Sequence, residues 1–215
     1  MTLRVLLVDD HNIMRQGLRA LLENHPEFEV VGEAENGRAA VALTRKVFPD
    51  VVIMDVSMPD LNGMDAARLI LEEFPKAKII ALSMHSDKRF VEGMLKAGAS
   101  GYLLKNCIAK ELLTAIKISS AGDIFLSPKI AGTVVNGFLR NASDNSISGL
   151  DLLTVREREI LQLLAEGKTS RQVANQLHVS GKTVDAHRRN IMEKLDIHSI
   201  AELTKFAIRE GLTLL

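Results

Sequence analysis

Val51-Val52-Ile53-Met54-Asp55 is an unbroken apolar run, mostly β-branched, closed by an acid. Such a run suits a strand buried on both faces. Similar short runs stand at Val5–Val8, Val30–Gly32, Ile79–Leu82 and Gly101–Leu104. Between them lie stretches with helical spacing of apolar residues. They carry Ile13, Leu18, Leu21 and Leu22; Ala39, Ala40, Val41 and Leu43; Ala66, Leu69 and Ile70; Phe90, Met94 and Leu95; and Leu112, Leu113 and Ile116. Strand and helix alternate five times. This predicts an α/β domain: a five-stranded, doubly wound parallel sheet with helices on both faces. Ligands on such sheets bind at the carboxyl ends of the strands.

Beyond residue 124 the pattern changes. No strand-like run is evident, and Pro128 to Arg140 reads as a helix opened by proline. Asn141 to Gly149 is polar and turn-rich and reads as a linker. Four helical stretches follow. Thr154-x-x-Glu157 reads as a capping box, Thr169-x-x-Gln172 as the opening of a short second helix, Ser180 as a cap, and Ser199-x-x-Glu202 as another cap. Gly167 and Gly211 read as helix stops. The expected division is therefore 1–124 as the α/β domain, 125–149 as helix and linker, and 150–215 as an all-α, four-helix domain.

Composition narrows the function. The chain has 215 residues, 47% hydrophobic and 25% charged, ordinary values for a folded protein. No apolar run reaches the ~18 residues of a membrane span. A single cysteine, Cys107, excludes a disulfide framework and a multi-cysteine zinc site. A cytoplasmic protein without membrane attachment is expected. The 27 basic and 27 acidic residues balance, but not locally. Residues 1–125 hold 15 basic and 17 acidic side chains, whereas residues 168–194 hold 6 and 2. The basic segment is the natural candidate for a polyanionic partner.

Asp9 and Asp10 follow the first strand, Asp55 ends the third, Ser83 the fourth, and Lys105 the fifth. A lone Asp-Asp after a strand reads as a solvated turn or helix cap. Four strand ends sharing one sheet edge are a different matter. Clustered carboxylates repel one another and need a cation. Oxygen ligands with a phosphate partner favour Mg²⁺. A carboxylate beside a metal and a lysine can attack phosphorus, because both cations neutralise charge on the equatorial oxygens. Ser83 can donate a hydrogen bond to the transferred group.

These residues carry a resemblance to the two-component receiver domain over about residues 3–122. The matching segments are Leu7-Val8-Asp9-Asp10-His11, the run ending at Asp55, Met58-Pro59-Asp60-Leu61-Asn62-Gly63, and Ala97-Gly98-Ala99-Ser100-Gly101-Tyr102-Leu103-Leu104-Lys105. The resemblance implies a flavodoxin-like fold with Asp55 as phosphoacceptor. It implies a metal held by Asp10 and Asp55, by Asp9 through water, and by the Ser57 backbone carbonyl. Ser83 and Tyr102 match the family's switch pair, and Lys105 its phosphate-contacting lysine. Met84 follows Ser83 where many receivers carry a small residue, and Asn106 follows Lys105 where many carry proline.

A second resemblance, to the LuxR-type helix-turn-helix, covers about residues 150–210. It rests on Leu153 to Leu161, Ala165-Glu166-Gly167-Lys168-Thr169-Ser170 and Val179 to Ile191. In Ser180–Leu195 the residues Val184, Ile191 and Leu195 can line a buried side, leaving Lys182, Asp185, Arg188 and Arg189 outward. A helix fits the major groove. Arg189 can pair with guanine, while Lys182, Thr183 and Arg188 are better placed for phosphates. The family's base-reading positions fall on Asp185, Ala186 and Arg189. Asp185 either accepts from a cytosine amine or turns toward Arg188 or Arg189. His187 has no Cys or His at ligand spacing and reads as packing or phosphate contact.

Together the halves resemble a NarL/FixJ-type response regulator. That implies a phosphorylation-controlled transcription factor, with a sensor histidine kinase as donor, double-stranded DNA as target, and a homodimer when phosphorylated. It implies no enzyme activity beyond self-phosphorylation from phosphodonors and slow autodephosphorylation. Two other readings compete. An aspartyl-phosphate phosphatase usually places its nucleophile after the first strand with a second Asp two residues on; here the acceptor ends the third strand and Ser57 holds that position. An output unit that binds protein rather than DNA would show no sequence preference.

Overall fold

The computed structural model describes residues 2–140 and 149–213. The chain divides into two compact units, with the boundary at Ser143/Asp144. The expected linker, Asn141 to Gly149, lies outside the described residues except for Gly149.

The first unit alternates as expected: β1 (Leu3–Val8), α1 (Asn12–Glu23), β2 (Phe28–Ala34), α2 (Gly37–Val47), β3 (Val51–Asp55), α3 (Gly63–Glu73), β4 (Lys78–Ser83), α4 (Lys88–Lys96), β5 (Gly101–Leu104) and α5 (Ile108–Ala121). All strand pairings are parallel, in the order β2-β1-β3-β4-β5-β6. The sixth strand, β6 (Phe125–Leu126), corrects the expected count of five. Two residues are too short to show a period of 2 in sequence. The strand forms because the outer edge of β5 offers open carbonyls: Phe125 N–H donates to Ser100 O and Ser127 N–H to Tyr102 O, both at 3.0 Å. The following helix, α6 (Pro128–Arg140), packs on α4 within the same unit.

Strand alternation sorts the core into two layers. Val5, Leu7, Val51 and Ile53 face α1 and α5, packing on Leu18, Leu22, Leu112 and Ile116. Leu6, Val8, Val52 and Met54 face the other way, onto Val41, Ala67, Ile70 and Met94. All eight strand residues are fully buried, and burying each contributes about 1.5–3 kcal/mol. Register then fixes the edge: Val8 pairs with Met54, Asp55 with Leu82, and Ser83 with Leu104. Residues just past these positions meet at one rim.

The second unit opens with a 3-10 turn, Gly149–Leu152, followed by α7 (Val155–Ala165), α8 (Ser170–Gln176), α9 (Gly181–Leu195) and α10 (Ile200–Arg209). The expected capping box of Thr154 with Glu157 forms, and Thr169 with Gln172 makes a second one. Ser180 and Ser199 also cap their helices. Gly167 and Gly211 take positive φ at helix ends, where a Cβ would be strained. Val184 and Ile191 of α9 join Ile160, Leu163, Val173, Leu203 and Phe206 in one core. Glu157 ties this unit together. Its carboxylate closes the α7 capping box and binds the Lys194 ammonium of α9 at 2.7 and 2.9 Å. Burial alone raises this carboxyl, but Lys194 and Thr154 outweigh it and hold it below the usual range.

One glycine places the end of β3. A Cβ on Gly63 would stand 2.1 Å from the backbone oxygen of Asp55. No side chain can yield there; only the backbone that carries Asp55 can move. Gly63→Ala is therefore expected to destabilise the first unit by about 1–3 kcal/mol or more, as overpacking does. A denaturant midpoint unchanged from wild type would show that the close approach is not required.

Candidate functional site

The rim of the sheet gathers Asp9, Asp10, Asp55 and Lys105. Asp9 and Asp55 are buried, and Asp10 is more open. The Lys105 ammonium lies 2.7 Å from one oxygen of Asp9 and 2.7 Å from one oxygen of Asp55. Ser57 N–H donates to the other Asp55 oxygen at 3.2 Å. Burial raises the Asp55 carboxyl; Lys105 opposes this and Asp9 adds to it, leaving the group pushed up to about 6. Folding thus disfavours the ionised form. The group's contribution to stability is full below the unfolded value near 3.8 and is lost as pH rises through about 6. Burial alone would lower Lys105, but Asp55 and Asp9 outweigh it and raise the ammonium's pKa.

Two residues beyond the expected set shape this rim. His11 donates its backbone N–H to Asp9 at 2.8 Å, and its Nδ1 lies 2.8 Å from Asp10 and 3.2 Å from Asp9. Arg15 donates to the Asp9 backbone carbonyl at 2.7 Å while its Nε faces Glu33 of β2 at 3.3 Å. His11 adjoins the acids in sequence, so its position was a signal. Arg15 sits inside α1, and only the fold turns it back onto Asp9.

Asp9, Asp10, His11 and Asp55 each offer a ligand atom, all within 4.8 Å of one another. Three of the four donors are carboxylates, and a lysine ammonium already seats between two of them. The cluster suits a hard divalent cation.

Ser83 and Tyr102 stand one strand and two strands away from Asp55. Ser83 is buried, and its Oγ accepts from His85 N–H at 3.0 Å. Tyr102 is fully buried, with its hydroxyl donating to His85 O at 2.9 Å. Burial, above all, pushes that phenol up to about 12. The backbone of one residue, His85, therefore bonds both expected switch residues, one through its N–H and the other through its carbonyl. Nothing in the sequence around His85 announced this. Met84 is 73% exposed, so its bulk points into solvent.

On α9, Lys182, Thr183 and Arg189 are exposed, while Asp185, Ala186 and Arg188 are half-buried. Thr183 Oγ1 lies 2.8 Å from Ser180 Oγ at the helix cap. Asp185 accepts from Ser170 Oγ of α8 at 2.9 Å and lies 3.6 Å from Arg188. Asp185 thus lies toward Ser170 and Arg188.

Residues 5–117 match the family described as the response regulator receiver domain. Residues 151–207 match the bacterial regulatory proteins of the luxR family. The chain belongs to the LuxR-type response regulators. Among its relatives, it is 40% identical over 210 residues to the transcriptional regulatory protein LiaR of Bacillus subtilis, covering 98% of this chain and 99% of that protein. It is 37% identical over 214 residues to the oxygen regulatory protein NreC of Staphylococcus carnosus, covering 98% and 99%. A solved structure of a LuxR-family two-component response regulator from Aurantimonas sp. shares 38% identity at a TM-score of 0.62, covering 65% of this chain and 99% of that one. The RcsB response regulator–DNA complex shares 26% identity at a TM-score of 0.59, covering 96% and 98%. No helix of this response regulator, among the described residues, is long and apolar enough to cross a membrane.

The charge balance at the rim of this response regulator can be tested directly. Lys105→Met removes the one ammonium between two buried carboxylates. The Asp55 carboxyl is then expected to rise about one pH unit or more above its wild-type value near 6, as loss of an adjacent opposite charge does. Carboxyl ¹³C NMR titration of metal-free protein measures this. An unmoved Asp55 would mean that Lys105 does not hold the rim.

Proposed function

We propose that Asp55 accepts a phosphoryl group from a sensor histidine kinase and that this modification governs binding of double-stranded DNA through α9. The observation that carries the reading is the buried Asp55 carboxylate, at the end of β3, held 2.7 Å from the Lys105 ammonium. In the transfer an Asp55 oxygen attacks phosphorus. The bond from phosphorus to the donor histidine nitrogen breaks, and the electron pair leaves on that nitrogen. The ionised carboxylate, not the neutral acid, is the attacking form. Lys105 is close enough to follow the phosphoryl oxygens as charge shifts onto them. Ser83 can turn its hydroxyl proton toward the product.

Mg²⁺ is the cation this donor set suits. Asp10 and Asp55 would bind it directly, Asp9 through water, and Ser57 through its backbone carbonyl. When bound, it neutralises charge on the transferred group. The same rim supports self-phosphorylation from small phosphodonors and slow autodephosphorylation.

The DNA reading rests on α9. Ser180 starts the helix, so Lys182 falls in the first turn and Arg189 about two turns on. Arg189 is assigned to base edges with Ala186 beside it. Lys182, Thr183 and Arg188 are assigned to phosphates. Asp185, held by Ser170 and Arg188, keeps its position in the base-facing set but orients its neighbour. Solved RcsB structures include a DNA complex and two dimers bound to two parallel DNAs, which supports binding here as a dimer. A cytoplasmic location fits this role. The functional divisions proposed are 1–124 for phosphoacceptance, 125–149 as connector and 150–215 for DNA.

With acetyl phosphate and Mg²⁺, the wild type is expected to gain one hydroxylamine-sensitive phosphoryl group and Asp55→Asn none. Equal labelling of the variant, read by intact mass, would move the acceptor elsewhere.

The helix is tested by residue type. Arg189→Ala should relax preference at one position of each half-site, at about 1–3 kcal/mol. Lys182→Ala should weaken all sequences alike and lower the salt slope by about one unit per site. Binding titrations across salt, on the preferred site and its base-substituted variants, separate the two. Exchanged effects would mean that α9 is rotated in the groove.

A further inference from the structure

Ser127 is a junction that the sequence did not mark. It is buried. Its N–H donates to Tyr102 O at 3.0 Å, joining β6 to β5. Its hydroxyl donates to the Glu111 carboxylate of α5. Its own carbonyl accepts from Ile130 at 2.7 Å and Ala131 at 3.0 Å, which opens α6. Three elements and the start of a fourth therefore meet at one residue.

The helix that leaves this junction rests on α4. Ile130 is fully buried and shares a core with Tyr102 and with Phe90, Val91 and Met94 of α4; Val134 packs against the same core. Phe90 in turn stacks on the His85 ring, with centroids 4.6 Å apart and planes 16° from parallel. The His85 backbone bonds Ser83 through its N–H and Tyr102 through its carbonyl. Ser83 lies one residue past Leu82, the register partner of Asp55. The contacts run without a gap from the acceptor strand to α6.

We propose that Phe125–Arg140 is the arm that carries the state of Asp55 out of the first unit, by unseating from Tyr102 and α4 when Asp55 is phosphorylated. This rests on the phosphoacceptor reading of Asp55. A phosphoryl group there draws the Ser83 hydroxyl toward it. The His85 peptide bonded to Ser83 moves with it, and with His85 move Tyr102 and Phe90. Those two residues are the seat of β6 and α6. The arm is suited to respond. Gly132 and Gly137 lie inside α6, and glycine weakens a helix interior. The two-residue β6 adds few hydrogen bonds. From Arg140 the chain continues through residues 141–148 to the DNA-binding unit, so α6 is the last described element of the first unit before that connection.

The test is amide hydrogen exchange on the full chain, with and without acetyl phosphate and Mg²⁺, with labelling checked by intact mass. In the labelled protein, amides of 125–135 are expected to exchange at least about fivefold faster, the lower end of usual allosteric coupling. Gly132→Ala adds a methyl that meets nothing within 4 Å, so it strengthens α6 without a clash. It should label as well as wild type yet show a smaller exchange gain and a smaller phosphorylation-dependent change in DNA affinity. Ser127→Ala should speed exchange in 125–135 before any labelling. A labelled wild type whose exchange changes end at α4 would overturn the arm. A wild type that takes no label overturns the Asp55 reading instead, which keeps the two failures apart.

Discussion

The ammonium of Lys105, set between Asp9 and Asp55, is the interaction on which the first unit depends. Two buried carboxylates at a shared rim repel one another strongly at low effective dielectric. One cation reaching both relieves that repulsion and keeps them close enough to act together. The same arrangement leaves Asp55 close to its ionisation point, with burial opposing its charge and Lys105 favouring it. A group in this balance changes its surroundings when its charge changes. On the proposed reading, a phosphoryl group on Asp55 would add charge at a place that cannot absorb it without rearrangement.

The sheet is what brings these groups together. Its strands are parallel and in register, so chain positions about 50 residues apart end at one rim. Around that rim the structure adds residues whose work is to hold others. Arg15 fixes the Asp9 carbonyl from α1 and links it to Glu33 on β2. His85 joins Ser83 and Tyr102 through the backbone N–H and carbonyl of one residue. The edge of β5, which would otherwise expose unpaired backbone groups, is covered by β6. That covering ties the end of the first unit to the strand that carries Tyr102.

The second unit is organised around a buried carboxylate of a different kind. Glu157 closes a helix cap and binds Lys194, so α7 and α9 are locked by one side chain. This leaves Lys194 engaged inside the unit and the exposed cations Lys182 and Arg189 on the other part of α9. Ser170 binds Asp185 and sets how α8 meets α9. An acid on a basic face is thereby held by its neighbours, and its charge is offset by Arg188.

The sequence by itself determined the alternation of strands and helices, the helix caps, the two-unit plan and the identity of the rim carboxylates. These follow from local rules: the period of apolar residues, the capping preference of Ser and Thr, and the end of each apolar run. Asp9, Asp55 and Lys105 were legible because each directly follows or ends such a run. Tertiary structure alone decided the roles of Arg15, His85, Ser127 and Ser170, and the existence of β6. None of these has a local signature. Arg15 reads as a solvated helix residue, His85 as part of a loop, and Phe125–Leu126 as too short for any period. Their partners lie on other elements, and only the packed register of the sheet and helices brings donor and acceptor within reach.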